Sequence, residues 1–194
     1  MKSKPRAWQR MLSGRRLDLL DPSPFDIELE DIAHGLSRVA RWNGQTLGEH
    51  PFSVAQHSLV VLDIFCALAP KADTNAKKAA LLHDAPEYVV GDMISPFKAA
   101  LSLDYKAFEQ QLLDAIYVRF QIPQPIKQST KMIIKRADIL SAYCEATQLA
   151  GFSVTEAERW FGKPELTDLP ILKPFAPEQA KTLFLEKFDA LTKD

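Results

Sequence analysis

Two cysteines in 194 residues leave little scope for covalent bracing. Cys66 and Cys144 each fall inside an apolar helical pattern, at a spacing that matches no zinc pair. They read as buried free thiols in a reducing compartment. An excess of one charge is also lacking: 24 basic against 25 acidic residues give a formal net charge of −1. A dedicated nucleic-acid surface shows as a basic excess, so a nucleic-acid polymer is not the expected partner. Long hydrophobic runs are missing too. The greasiest stretch, Ser58 to Ala69, is interrupted by Asp63 and is too short to span a bilayer. The basic start, Met1 to Arg6, is followed by no apolar signal core. These absences together predict a cytoplasmic protein without a membrane role. There is no repeat, no low-complexity tract and no convincing strand pair. A hydrophobic share of 46% over this length suits one core, and one all-α helical bundle is the expected architecture.

The helical signals can be placed in order. Ala7 to Leu12 reads as a short helix closed by Ser13-Gly14, and Asp21 to Pro24 as a turn. Leu29, Ile32, Leu36 and Val39 share one helix face, with His34 off that stripe and read as a surface histidine or one behind a site rather than a ligand. Arg41 to Pro51 reads as a loop, opened by Arg41-Trp42 and containing His50. Ser53 to Gln56 has the form of a capping box for a helix to Ala69, which carries His57 on the face of Val54, Val61 and Phe65. Thr74 is the expected cap of a helix reaching Asp84. Pro86 then forces a restart, Glu87 sits on a short second helix, and Gly91 stops it. A further short helix is predicted from Ser95-Pro96 to Ala100. Asp104 to Phe120 is amphipathic through Phe108, Leu112 and Ile116. A long helix from Pro125 to Ala150 shows Ile126, Ile133, Ala137, Leu140 and Cys144 as its apolar residues, with Asp138 among them and Gly151 beyond its end. Val154 to Trp160 and Pro177 to Leu191 complete the set. Trp160-Phe161 is expected to patch onto the body, and Phe184, Phe188 and Leu191 to face inward.

The stretch Ala79 to Asp92 places a histidine and an aspartate side by side at the end of an apolar run. A buried carboxylate costs several kcal/mol unless it is paired or bound to a metal. His57, His83, Asp84 and Asp138 all stand where the pattern calls for apolar residues, on three predicted helices. Two imidazoles and two carboxylates supply four ligands of an octahedral divalent ion and leave positions for water and a substrate oxygen. Mixed nitrogen and oxygen donors favour Mn, Fe, Co, Ni or Zn, with Mg also admissible.

The order His57, then His83-Asp84, then a distant Asp138 resembles the HD-domain metal-dependent phosphohydrolases. The longer string is more specific. His83-Asp84-Ala85-Pro86-Glu87, then Gly91-Asp92, Pro96 and Lys98, resembles the bacterial 5'-deoxynucleotidase branch. So do Glu49 to Ser58 and Lys135 to Asp138. The resemblance covers roughly Ile32 to Leu149. It implies a single HD domain with its core at about residues 29–150 and a C-terminal helical extension, 151–194. It implies that His57, His83, Asp84 and Asp138 bind one divalent metal ion, with Glu87 joining Asp84 in catalysis. Arg41 and Trp42 would hold phosphate and crowd the sugar 2' position, and Asp92 would contact the sugar. The implied reaction is release of phosphate from (deoxy)nucleoside 5'-monophosphates by attack of a metal-bound water, with Lys98 a further candidate for the phosphoryl charge. A homodimer is implied as well. Three competing readings stand beside this one: an HD hydrolase for a nucleoside polyphosphate or cyclic nucleotide, a silent metal- or nucleotide-binding module, and a helical scaffold without metal.

Overall fold

Ser53 sits in extended backbone and accepts the Gln56 N–H, which starts α2 (Val54–Leu68). The reciprocal half of the expected capping box is not made. The Gln56 side chain turns away, donating to the Lys173 carbonyl at 2.6 Å and accepting the Phe175 N–H at 3.0 Å. A buried amide thus pins the C-terminal segment beside the first histidine. The computed structural model describes residues 7–93 and 105–193.

Helix α2 is the central element. Along it lie α6 (Gln128–Gln148), α3 (Thr74–Leu81) and α8 (Pro177–Lys193), and α8 also packs on α1 (Leu29–Leu36). The shared core includes Ile32, Leu36, Leu62, Phe65, Leu81 and Phe184, to which α5 (Tyr105–Arg119) adds Leu112 and Ile116. Full burial of each such side chain stabilises by about 1.5–3 kcal/mol. A second apolar cluster, with Phe52, Tyr143, Cys144, Leu149 and Ala157, lies under α7 (Val154–Phe161) and takes in Trp42, Phe152 and Phe161. The helical reading therefore holds, with eight α-helices among the described residues. None of them is long and apolar enough to cross a membrane.

Several boundaries differ from expectation. The N-terminal stretch is not a helix but an antiparallel ribbon of β1 (Trp8–Arg10) and β2 (Arg16–Asp18). Ser13-Gly14 makes its turn, with Gly14 at φ 87°, and Leu17 is buried between exposed Arg16 and Asp18 at the two-residue period of a strand. Asp31 of α1 ties the ribbon down through the Ser13 N–H at 3.0 Å and hydroxyl at 2.5 Å. Asp73, not Thr74, caps α3, because its carboxylate reaches the Ala76 N–H at 2.8 Å. Helix α6 begins at Gln128, three residues after Pro125. Trp160 is 71% exposed and does not cover the body, whereas Phe161 does. Cys144 is buried but Cys66 only half-buried, and both are free. The helix predicted from Ser95 to Ala100 lies outside the described residues, as do Lys98 and Asp104.

Gly35 sets how closely α1 approaches α4 (Glu87–Val90). A Cβ added there would lie 2.8 Å from the Tyr88 Cβ and 3.0 Å from the Tyr88 carbonyl oxygen. Backbone cannot yield as a side-chain tip can. Gly35→Ala is therefore expected to destabilise by about 1–3 kcal/mol. That lowers Tm by roughly 2–4 °C per kcal/mol for a chain of this size. Calorimetry checks it, and an unchanged Tm would mean that the helices part at no cost.

Candidate metal centre and active site

The last α-helical bond before the His-Asp pair joins the Leu82 N–H to the Lys78 carbonyl. Tight turns follow: Ala85 N–H to the Leu82 carbonyl, then Glu87 N–H to the Asp84 carbonyl, with Pro86 as the cap of α4. His83 and Asp84 thus sit on a turn, not on the helix expected to reach Asp84. The four candidate ligands therefore come from two helices and one turn rather than from three helices. Helix α2 brings His57 and helix α6 brings Asp138.

The four side chains meet. The Asp84 Oδ2 is 3.4 Å from the His57 Nε2 and 3.2 Å from the His83 Nε2. The Asp138 Oδ1 is 3.5 Å from the same His57 nitrogen. Ligand atoms of His57, His83 and Asp138 all lie within 4.8 Å of one another. The Nδ1 atoms of both rings are held by the protein: His83 by the Ala80 carbonyl at 2.9 Å, His57 by Glu145 at 2.6 Å. The Nε2 atoms are buried and have no hydrogen-bond partner.

The electrostatics favour a cation. Burial opposes ionisation of Asp84, but the His83 and His57 rings outweigh it and hold its carboxyl well below the usual range. Asp138 is likewise lowered against burial, chiefly by the His57 ring 3.5 Å away. Burial and Arg41 push the His57 imidazole down, yet Glu145, Asp138 and Asp84 keep it well above its ordinary value. Among the described residues, Asp84, Asp138 and Glu145 face these rings, while Arg41 is paired with Glu145 and Asp92 and Lys135 with Asp138. Two unpartnered imidazole nitrogens facing excess carboxylate charge are a donor set that fits a divalent ion. A cleft of about 530 Å³ between α5 and α6 opens onto it, lined by His83, Asp84, Asp138, Tyr117, Ile134 and Lys135 among others. Lys135 lies 2.7 Å from Asp138.

The remaining predicted residues fall into two groups. Arg41, only 13% exposed, places its Nη1 3.7 Å from the Asp92 Oδ1. Its Nε donates to the Glu145 Oε2 at 3.1 Å, and the Trp42 indole N–H donates to the same oxygen at 2.8 Å. Trp42 and Asn43 have φ of 57° and 51°, a left-handed conformation that non-glycine residues rarely adopt. The Trp42 ring meets Phe152 and Phe161 edge-on, at centroid distances of 5.6 and 6.2 Å. These residues do not line the cleft; Glu145 connects them to His57. Glu87, in the first turn of α4, is 2% exposed, so it is not a solvated surface carboxylate. His34 and His50 are half-buried and fall outside the metal-competent group.

Glu145 and Ser141 were not singled out from the sequence. They follow Asp138 by seven and three positions respectively, the spacing of one helix face. Both are fully buried. The signal was present in that spacing.

A helical domain in which two helices and a His-Asp turn bring two imidazoles and two carboxylates to one point is an HD domain. A family model of 5'-deoxynucleotidase YfbR-like proteins matches residues 31–186. The chain belongs to this family. It is 58% identical over 160 residues to an uncharacterised protein of Rhodobacter capsulatus, covering 82% of each. It is 32% identical to the 5'-deoxynucleotidase YfbR of Escherichia coli O1:K1 and 29% identical to a 5'-deoxynucleotidase of Enterobacter sp. strain 638. Each of these two matches covers 119 residues, half of this chain and 60% of the enzyme's own length.

Proposed function

We propose that this protein is a metal-dependent phosphomonoesterase that releases phosphate from nucleoside 5'-monophosphates, deoxynucleotides included. The observation that carries the reading is the convergence of the unpartnered His57 and His83 Nε2 atoms with Asp84 and Asp138 at the mouth of a ligand-sized cleft. Family membership and the names of the two enzymes above support the choice of substrate.

His57, His83, Asp84 and Asp138 would hold the divalent ion. When bound, such an ion supplies Lewis acidity to water and to phosphoryl oxygens. The protein's own groups do the rest. Arg41 donates to non-bridging phosphate oxygens through its terminal nitrogens, fixed in aim by Glu145 on one side and Asp92 on the other. Asp92 accepts from a sugar hydroxyl. The Trp42 ring, set by Phe152, Phe161 and its indole bond, walls the sugar on the 2' side. Glu87 holds or moves the proton that passes between the attacking water and the leaving sugar oxygen.

With added Mn or Co, the purified protein is expected to release phosphate from a panel of nucleoside monophosphates, and chelation is expected to stop it. The same panel carries 2'-deoxy and ribo forms, nucleoside triphosphates and cyclic nucleotides. Turnover confined to the polyphosphates or cyclic esters would reassign the substrate within the HD class. Binding of monophosphates without any turnover would make the protein a binding module.

A further inference from the structure

We infer that Glu145 is a positioning residue, whose single carboxylate fixes both the metal-ligating form of His57 and the placement of the Arg41-Trp42 turn. It rests on the reading above only in taking His57 as a ligand and Arg41-Trp42 as the substrate side.

Glu145 lies on α6 two turns beyond Asp138 and is fully buried. Oε1 accepts the Ser141 hydroxyl at 2.9 Å and faces the His57 Nδ1 at 2.6 Å. Oε2 accepts the Arg41 Nε–H at 3.1 Å and the Trp42 indole N–H at 2.8 Å. Guanidinium and indole N–H groups only donate, and an ionised carboxylate only accepts. A short contact to that carboxylate therefore requires His57 to carry its hydrogen on Nδ1. Ser141 also approaches Nδ1 at 3.2 Å, but its hydrogen is committed to Oε1. In the neutral ring, which a bound divalent ion would select, hydrogen on Nδ1 leaves the lone pair on Nε2. Nε2 is the atom 3.4 and 3.5 Å from Asp84 and Asp138. A carboxylate behind a ligand histidine orients the ring and strengthens the ligand.

The second oxygen acts on the loop. Trp42 and Asn43 stand in left-handed backbone, a conformation that persists only where the surroundings over-determine it. Two bonds to one buried oxygen do that from below, while Phe152 and Phe161 do so from the side.

Glutamine has the shape of glutamate but cannot meet four donors. With its amide oxygen toward His57, its NH₂ faces the N–H groups of Arg41 and Trp42. Flipped, the NH₂ donates to the His57 Nδ1 and moves the ring hydrogen to Nε2, where it blocks ligation. Either orientation breaks one of the two functions.

The test measures Mn affinity by competition with a chromophoric chelator, together with kcat and KM for deoxynucleoside monophosphate, in wild type, Glu145→Gln and Ser141→Ala. Glu145→Gln is expected to weaken Mn binding by about 10–100-fold or to raise KM by a comparable factor. Ser141→Ala gives up one neutral bond and is expected to change either by no more than about fivefold. A Glu145→Gln protein with lowered Tm but wild-type Mn affinity and KM would overturn the inference and leave the metal reading standing. Wild type that binds no Mn would overturn the metal reading and the inference together. Should Glu145→Gln not fold, nitrogen-15 spectra of histidine-labelled wild type loaded with zinc decide. A hydrogen on the His57 Nδ1 supports the inference, and ligation through Nδ1 overturns it.

Discussion

Asp84→Ala is expected to yield a folded protein that takes up no manganese and, under the proposed function, releases phosphate at least about 10³-fold more slowly than wild type. Several kcal/mol of transition-state stabilisation are at stake when a Lewis acid is removed from a phosphoryl group, and each 1.36 kcal/mol is tenfold in rate. Asp84 stands between the two imidazoles, with its Oδ2 3.4 Å from the His57 Nε2 and 3.2 Å from the His83 Nε2. The side chain is 24% exposed and sits on a turn whose bonds are made by backbone groups, so its loss leaves the helices their own packing. Metal-free wild type and metal-free variant should therefore give the same far-UV circular dichroism. The difference appears on adding metal. Wild type gains stability as RT ln(1 + [Mn]/Kd), about 4 kcal/mol at a thousandfold excess over Kd, and the variant gains none. Thermal melts with and without manganese, run beside a phosphate-release assay, check both halves. A variant that hydrolyses at the wild-type rate would place the chemistry elsewhere in the molecule.

The side chains that converge were legible in the sequence because each breaks a pattern. His57 interrupts the Val54, Val61, Phe65 face, and Asp138 stands between Ala137 and Leu140. The end of α3 was less so. Ala79 to Leu82 continues the apolar run, so the helix looked able to reach Asp84. A proline ring clashes with the carbonyl four residues before it, here that of Leu82. The structure gives that carbonyl to the Ala85 N–H instead, and α3 ends at Leu81, three residues earlier than expected. Trp160 and Phe161 look alike in a sequence but stand about 100° apart on a helix, so one packs and the other faces solvent. The ribbon at Trp8 to Asp18 alternates over only three residues per strand, too few for a period to be recognised. Glu145 was missed for a different reason. It lies near the end of α6 beside Thr147 and Gln148, where a glutamate reads as solvated surface. Its meaning comes from Arg41 and Trp42, more than a hundred residues away in the chain.

Glu87→Gln should separate proton transfer from metal binding. Glutamine keeps the volume and one acceptor of the buried glutamate but replaces the other oxygen with an NH₂ that cannot exchange the proton in question. Backbone bonds hold the turn: the Glu87 N–H remains on the Asp84 carbonyl, and the Gly91 N–H on the Glu87 carbonyl. Mn affinity and KM are thus expected to stay within about threefold of wild type, in keeping with a lost interaction made only in the transition state. The rate constant kcat is expected to fall by about 10²–10³-fold, inside the range of general acid–base catalysis. The leaving group then assigns the role. If Glu87 protonates the departing sugar oxygen, the variant recovers most of its rate on an aryl phosphate, whose phenolate leaves without a proton. If Glu87 takes the proton of the attacking water, the deficit is the same on aryl and nucleoside esters. Loss of Mn affinity in Glu87→Gln would instead make Glu87 part of the metal site, since a group that only carries a proton leaves the donor set untouched.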